Sequence, residues 1–177
     1  MGMRRSGTTI LQKLMNRHPD IHLEFEPYEL FYSVATSEIP RYRKQPLQTQ
    51  VLHQYKNNPT KWYGAKFAFN AGIEAMKWKL FNKEFDNAHF VFIIRNPKDT
   101  YDSWVKADKD SVRGICSYEM YLPWWKYINN SFITTPAKHT VVYYDQLVTN
   151  ADVEMQKVWD LLKIKPITGL NQMIHKP

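Results

Sequence analysis

The chain has 177 residues, enough for one domain with a sizeable core, and its 44% hydrophobic and 15% aromatic content describes a globular protein. No apolar run approaches the roughly 20 residues that span a bilayer, so an integral membrane segment is not expected, and the single cysteine, Cys116, excludes an internal disulfide or a cysteine-based zinc cluster. A formal charge of +7 favours a polyanionic ligand, while the scattering of the basic residues argues against nucleic acid, which calls for a concentrated stripe.

The opening stretch, Gly2-Met3-Arg4-Arg5-Ser6-Gly7-Thr8-Thr9, places two glycines and two threonines directly before an apolar-periodic run. That pattern suits a loop that cradles an anion at a helix N-terminus, where unpaired N–H groups and the helix dipole favour negative charge. A Gly/Ser/Thr cluster before a helix can equally be a simple cap. The spacing matches a nucleotide-binding P-loop except that Thr8 stands where the lysine belongs, and the positive charge sits upstream at Arg4 and Arg5. A helix from Thr8 to about Arg17 follows, with Ile10, Leu11, Leu14 and Met15 on one face. Ile21 to Glu26 alternates apolar and polar as a short strand, stopped by Pro27.

Tyr28 to Thr36 reads as a short helix, Ser37 to Pro46 as a surface loop and Leu47 to Lys56 as a helix. Lys61 to Phe67 is a strand and Ala71 to Phe85 a helix. Phe90 to Arg95 has the most apolar strand pattern, and Pro97 opens the next helix in its first turn, with Asp99 nearby. Gly114 to Phe132 reads as an aromatic-rich helix interrupted or kinked at Pro123. Thr140 to Tyr144 is a strand and Asp145 to Leu162 a helix, whereas the tail after Ile164 has little pattern. The six histidines lack ligand spacing and read as capping or surface residues; the aromatic block from Tyr118 to Tyr127 reads mostly as core.

Strands alternating with helices predict an α/β domain spanning residues 1–177, a mostly parallel sheet flanked by helices. In such sheets ligands sit at the carboxyl ends of the strands, where Glu26, Lys66, Arg95 and Tyr144 all fall. The most apolar strand, Phe90 to Ile94, runs into Arg95 and not into an acid that would help to hold magnesium, and with the missing lysine this argues against a P-loop kinase for small molecules. No metal site is expected.

Three segments together resemble the sulfotransferases that use 3′-phosphoadenosine 5′-phosphosulfate (PAPS). Arg5-Ser6-Gly7-Thr8-Thr9 is similar to their 5′-phosphosulfate loop. Phe92 to Ser103 resembles their 3′-phosphate motif, a strand ending in arginine with a serine eight residues later. Val142-Tyr143-Tyr144-Asp145-Gln146-Leu147 resembles a later element. The resemblance implies a P-loop-like fold and transfer of a sulfuryl group from PAPS to a hydroxyl acceptor such as a carbohydrate, with 3′-phosphoadenosine 5′-phosphate (PAP) as product. It implies that Arg5, Ser6, Gly7, Thr8 and Thr9 hold the phosphosulfate, with Arg5 at the bridging oxygen, and that Arg95 and Ser103 hold the 3′-phosphate. For Arg95 a structural bridge to Asp99 or Asp102 is the other reading, and for Ser103 that of an ordinary helix serine. Tyr144 faces the donor or packs in the core. Lys66 lies near the transferred group or is solvated.

Glu26, in Phe25-Glu26-Pro27, resembles the glutamate of the glycan and tyrosyl-protein branch, which implies a general base; Glu24 is the runner-up. Two departures from the family stand out. Only Met1-Gly2-Met3 precede the arginines, so the usual first strand is expected to be absent, as in a chain truncated at its N-terminus, and the Arg-Lys-Gly element of the cytosolic branch has no counterpart. A non-catalytic nucleotide- or polyanion-binding module is therefore the competing function. The start lacks a signal-like pattern, so the cytoplasm is expected, or a lumen if an anchor has been lost.

Overall fold

The computed structural model describes residues 1–25, 56, 60–69, 87–107 and 117–174. Its strands are β1 (Gly2–Met3), β2 (Ile21–Phe25), β3 (Trp62–Lys66), β4 (Ala68–Phe69), β5 (Phe90–Ile94) and β6 (His139–Tyr143). Its helices are α1 (Thr8–Met15), α2 (Pro97–Ala107), α3 (Tyr118–Ile133), α4 (Tyr144–Thr149), α5 (Ala151–Leu162) and α6 (Asn171–Ile174). A four-stranded sheet runs β4-β1-β5-β6 and a two-stranded sheet pairs β2 with β3. Every pairing is parallel.

Alternation along β5 explains how the sheet is sandwiched, because successive side chains of a strand point to opposite faces. Phe90 and Phe92 join Trp104 of α2 and Tyr121, Ile128 and Phe132 of α3 in one buried cluster. Val91 and Ile93 join Leu11 and Leu14 of α1 and Met155, Val158 and Trp159 of α5 in another. A strand covered on both faces carries an unbroken apolar run, and Phe90–Ile94 is buried throughout.

The first strand, expected to be absent, is present in a two-residue form. Gly2 pairs with Ala68 on one side and Ile93 on the other, so two residues suffice to make β1 a central strand. The helix expected from Asp145 to Leu162 is two helices, because the Asn150 side chain accepts from Val153 N–H and starts α5 afresh. Pro123 does not interrupt α3, which runs through it. The carbonyl that loses its partner belongs to Glu119, an exposed residue that water can reach. The tail is also more ordered than its composition suggests: Asn171 Oδ1 accepts from Ala151 N–H at 2.5 Å and Asp152 Oδ1 from Leu170 N–H at 2.9 Å. The helices expected over Tyr28–Thr36, Leu47–Lys56 and Ala71–Phe85 lie outside the described residues, apart from Lys56, which is helical. No described helix is long and apolar enough to cross a membrane.

Candidate functional site

Between β1 and α1 the chain makes a tight turn with two residues in the left-handed region, Arg5 at φ 69° and Gly7 at φ 99°. Gly7 is the N-cap of α1. A Cβ there would run into the Tyr144 ring, so both the backbone conformation and the space demand glycine. Gly7→Ala is expected to cost about 1–3 kcal/mol, lowering Tm by several degrees in a thermal melt.

The turn is braced from within and from outside. Ser6 is buried, and both its N–H (3.1 Å) and its hydroxyl (2.6 Å) donate to the Met3 carbonyl. Its polar groups thus face the turn. Arg95, at the end of β5, donates from Nη1 to the Arg5 carbonyl at 3.3 Å. Arg5 Nε in turn donates to Ser103 Oγ at 3.2 Å, joining positions 98 residues apart. The Arg95 guanidinium lies 4.4 Å from the centre of the Tyr144 ring, a cation–π stack. Its carbonyl accepts from Trp125 Nε1 at 3.2 Å.

Two further facts bear on what Arg95 can do. Its Nε is buried and has no partner among the described residues. Asp102 is taken by Lys98, at 2.6 Å, and no ion pair between described residues joins Arg95 to Asp99 or Asp102. That contact also raises the Lys98 pKa, chiefly through the Asp102 hydrogen bond. Arg95 is thus a partly buried cation whose fork meets no carboxylate among the described residues, the arrangement that suits an incoming anion.

On the other side of the turn, Lys66 is buried and donates from Nζ to Thr9 Oγ1 at 3.3 Å. The same ammonium lies 4.1 Å from the centre of the Phe25 ring. Strand β2, which carries Phe25, is tied to α1 through Leu23. The Leu23 carbonyl accepts from Gln12 Nε2 (2.8 Å) and Asn16 Nδ2 (3.0 Å), and its N–H donates to Asn16 Oδ1 (2.7 Å). Glu24 points to the opposite face of the small sheet from Phe25 and Lys66, with His22 Nε2 at 2.9 Å and the Tyr63 hydroxyl at 3.3 Å.

Of the predicted site residues, Arg5, Ser6, Gly7, Thr8, Thr9, Lys66, Arg95, Ser103 and Tyr144 gather around this turn or brace it. Glu26 lies outside the described residues. Trp125, Gln12 and Asn16 were not singled out from sequence. Trp125 is one ring in an aromatic block without visible order, and the two amides read only as the polar face of α1. Neither signal separates a brace from a solvated side chain.

The sequence matches the sulfotransferase domain family over residues 1–176. The fold is similar to the sulfotransferase domain of the Synechococcus PCC 7002 olefin synthase, at 15% identity and a TM-score of 0.61 over 99% of this chain and 75% of that one. A mouse sulfotransferase complexed with PAP is similar at 15% identity and a TM-score of 0.60, over 98% of this chain and 61% of that one. The sulfotransferase domain from the curacin biosynthetic pathway is similar at 15% identity and a TM-score of 0.52, over 73% of this chain and 48% of that one. The chain spans about half to three quarters of the length of these proteins. At the level of sequence, no curated protein matches it.

Proposed function

This chain belongs to the sulfotransferase domain family, and we propose that it transfers a sulfuryl group from PAPS to a hydroxyl acceptor, a carbohydrate or similar. The observation that carries the reading is the meeting of two remote motifs. Arg95 and Ser103, from the β5–α2 segment, both contact Arg5 of the opening turn. A donor with a phosphosulfate at one end and a phosphate at the other carries roughly four negative charges. Three basic residues, Arg5, Arg95 and Lys66, stand around the turn to receive them.

The residues fit such a bis-anion. The first N–H groups of α1, from Gly7 to Thr9, lack intrahelical partners and bind the phosphosulfate together with the Thr8 and Thr9 hydroxyls. Arg95, whose buried Nε has no partner among the described residues, takes the 3′-phosphate with Ser103. Tyr144 backs the guanidinium and keeps it flat against the site. In the transfer the bond between sulfur and the bridging oxygen of the donor breaks, one to the acceptor oxygen forms, and the acceptor proton passes to a base. Arg5 stabilises the charge that builds on the bridging oxygen, and Lys66 holds the transferred group. Glu26 is the base, as the residue that follows Phe25 at the end of β2. PAP then leaves as product.

Thermal stabilisation tests the donor assignment. PAP without magnesium is expected to raise Tm by about 5–10 °C at a hundredfold excess over its Kd, with Mg-ATP giving a much smaller shift. Stabilisation by Mg-ATP alone would point to a kinase. A shift with PAP but no turnover of labelled donor would point to a binding module.

A further inference from the structure

We infer that Glu154 is a positioning residue for the donor: it sets Tyr144, and through Tyr144 the Arg95 guanidinium, where the 3′-phosphate is received. The inference rests on the reading of Arg95 as the partner of that phosphate. Glu154 stands in the first turn of α5, the helix that Asn150 starts afresh. The rest of the buried face of α5 is Ala151, Met155, Val158, Trp159 and Leu162, all apolar. Glu154 is a charged residue at the head of that face and only 4% exposed. A buried carboxylate is costly where an apolar side chain of similar volume would pack without penalty, so its contacts have to explain it. Packing does not, since Val142 of β6 already shares one buried cluster with Met155 and Val158.

Glu154 Oε1 accepts from Tyr143 N–H at 2.8 Å and from Lys157 Nζ at 2.7 Å. Lys157 and the start of a helix both favour a negative charge, yet neither explains why it lies against β6. The bond to Tyr143 does. Among the described residues β6 is an edge of the four-stranded sheet. Successive residues of a parallel strand address their two sides in turn. Lys138 accepts from Phe90 N–H on the β5 side, and counting on by twos puts Tyr143 on the outward side. An outward N–H at a sheet edge has no strand to meet, and here Glu154 supplies the acceptor.

What this grip holds is the residue that follows. α4 begins at Tyr144 without a side-chain cap of its own, so the Glu154 bond fixes the backbone one step ahead of that ring. The ring closes on Gly7, where a Cβ would run into it, and carries the Arg95 guanidinium 4.4 Å from its centre. β5 holds the other edge of β6, with Ile94 opposite Tyr143. Lys157 adds a contact from outside, its Nζ 5.3 Å from the centre of the Tyr143 ring. Side chains of α5 thus engage Tyr143 at both its N–H and its ring, and Tyr144 inherits its course from that anchor.

Two substitutions separate reach from charge. Glu154→Gln keeps an oxygen within reach of Tyr143 N–H and drops the charge, whereas Glu154→Asp keeps the charge and falls short by a methylene. Titrations compare PAP with adenosine 5′-phosphate, which differs from it in the 3′-phosphate alone. Glu154→Asp is expected to weaken PAP about five- to tenfold and adenosine 5′-phosphate less than about twofold, while Glu154→Gln keeps both within about twofold. Tyr144→Leu is expected to weaken PAP at least as much, and adding Glu154→Asp to it to cost less than about twofold more. The Gly7 α-proton resonances, beside the Tyr144 ring, need no ligand; they are expected to move in Glu154→Asp and to stay in Glu154→Gln. Equal weakening of both ligands by Glu154→Asp would make the residue a support of the fold and overturn the inference. So would unmoved Gly7 resonances, or the reverse ranking of the two variants. If the wild type binds no PAP, the donor assignment falls, and the Gly7 resonances still decide whether Glu154 places Tyr144.

Discussion

Arg95→Met is expected to raise the KM for PAPS by two to three orders of magnitude, on the order of 3–4 kcal/mol for two charge-assisted hydrogen bonds lost to one phosphate. The stabilisation of the protein by PAP is expected to fall to about 1 °C or less. The size follows from the setting. The guanidinium is half-buried, has no carboxylate partner among the described residues and keeps Nε without one. Arg95→Lys is not expected to restore binding, since an ammonium cannot present two parallel donors or lie flat on Tyr144. Arg95 also supports Arg5, so a ligand comparison separates the roles. With adenosine 5′-phosphosulfate, which lacks the 3′-phosphate, wild type and variant are expected to differ by less than about threefold. An equal loss with both donors would make Arg95 a brace for the turn and refute its assignment to the phosphate.

Glu26→Gln is expected to lower kcat by two orders of magnitude or more while leaving the PAP-induced shift in Tm unchanged. The placement of its neighbour motivates the assignment. Phe25, the residue before it, lies under the Lys66 ammonium, which reaches Thr9 at the first turn of α1. Glu24, the runner-up two residues earlier, is the natural comparison, because it faces away from Phe25 and Lys66 and is engaged with His22 and Tyr63. Glu24→Gln is expected to leave kcat within about threefold of wild type. Loss of the acid limb of the kcat–pH profile in Glu26→Gln alone would distinguish a base from a binding residue. Near-normal turnover in that variant would end the proposal.

How far the sequence leads depends on what each element advertises. β5 is a five-residue apolar run and was legible at once. The opening turn was legible because glycine spacing reports a demand of the backbone itself, here positive φ and a ring pressed against Gly7. That Arg95 stands beside the turn followed from a rule about strand ends, whereas Arg5 and Ser103 were read from the opening loop and from the resemblance of Phe92 to Ser103 to a 3′-phosphate motif. What stayed hidden was of two kinds. β1 is too short for any periodicity, since two residues have no pattern to repeat. The braces Trp125, Gln12 and Asn16 depend on tertiary distance, which polarity alone does not report. The division between α4 and α5 belongs to neither group. Asn150, with Asp152 and Glu154 in the first turn after it, is a start signal that the longer apolar pattern of Val153 to Leu162 outweighed.

One residue gathers an unusual share of the molecule. Through its backbone Arg95 is tied to α3, through its guanidinium face to α4, and through Nη1 to the turn ahead of α1. A crevice bounded by independent loops can breathe while its scaffold stays intact. Here three segments on one side of the turn share a single keystone, so loosening any one of them disturbs the contacts of the other two.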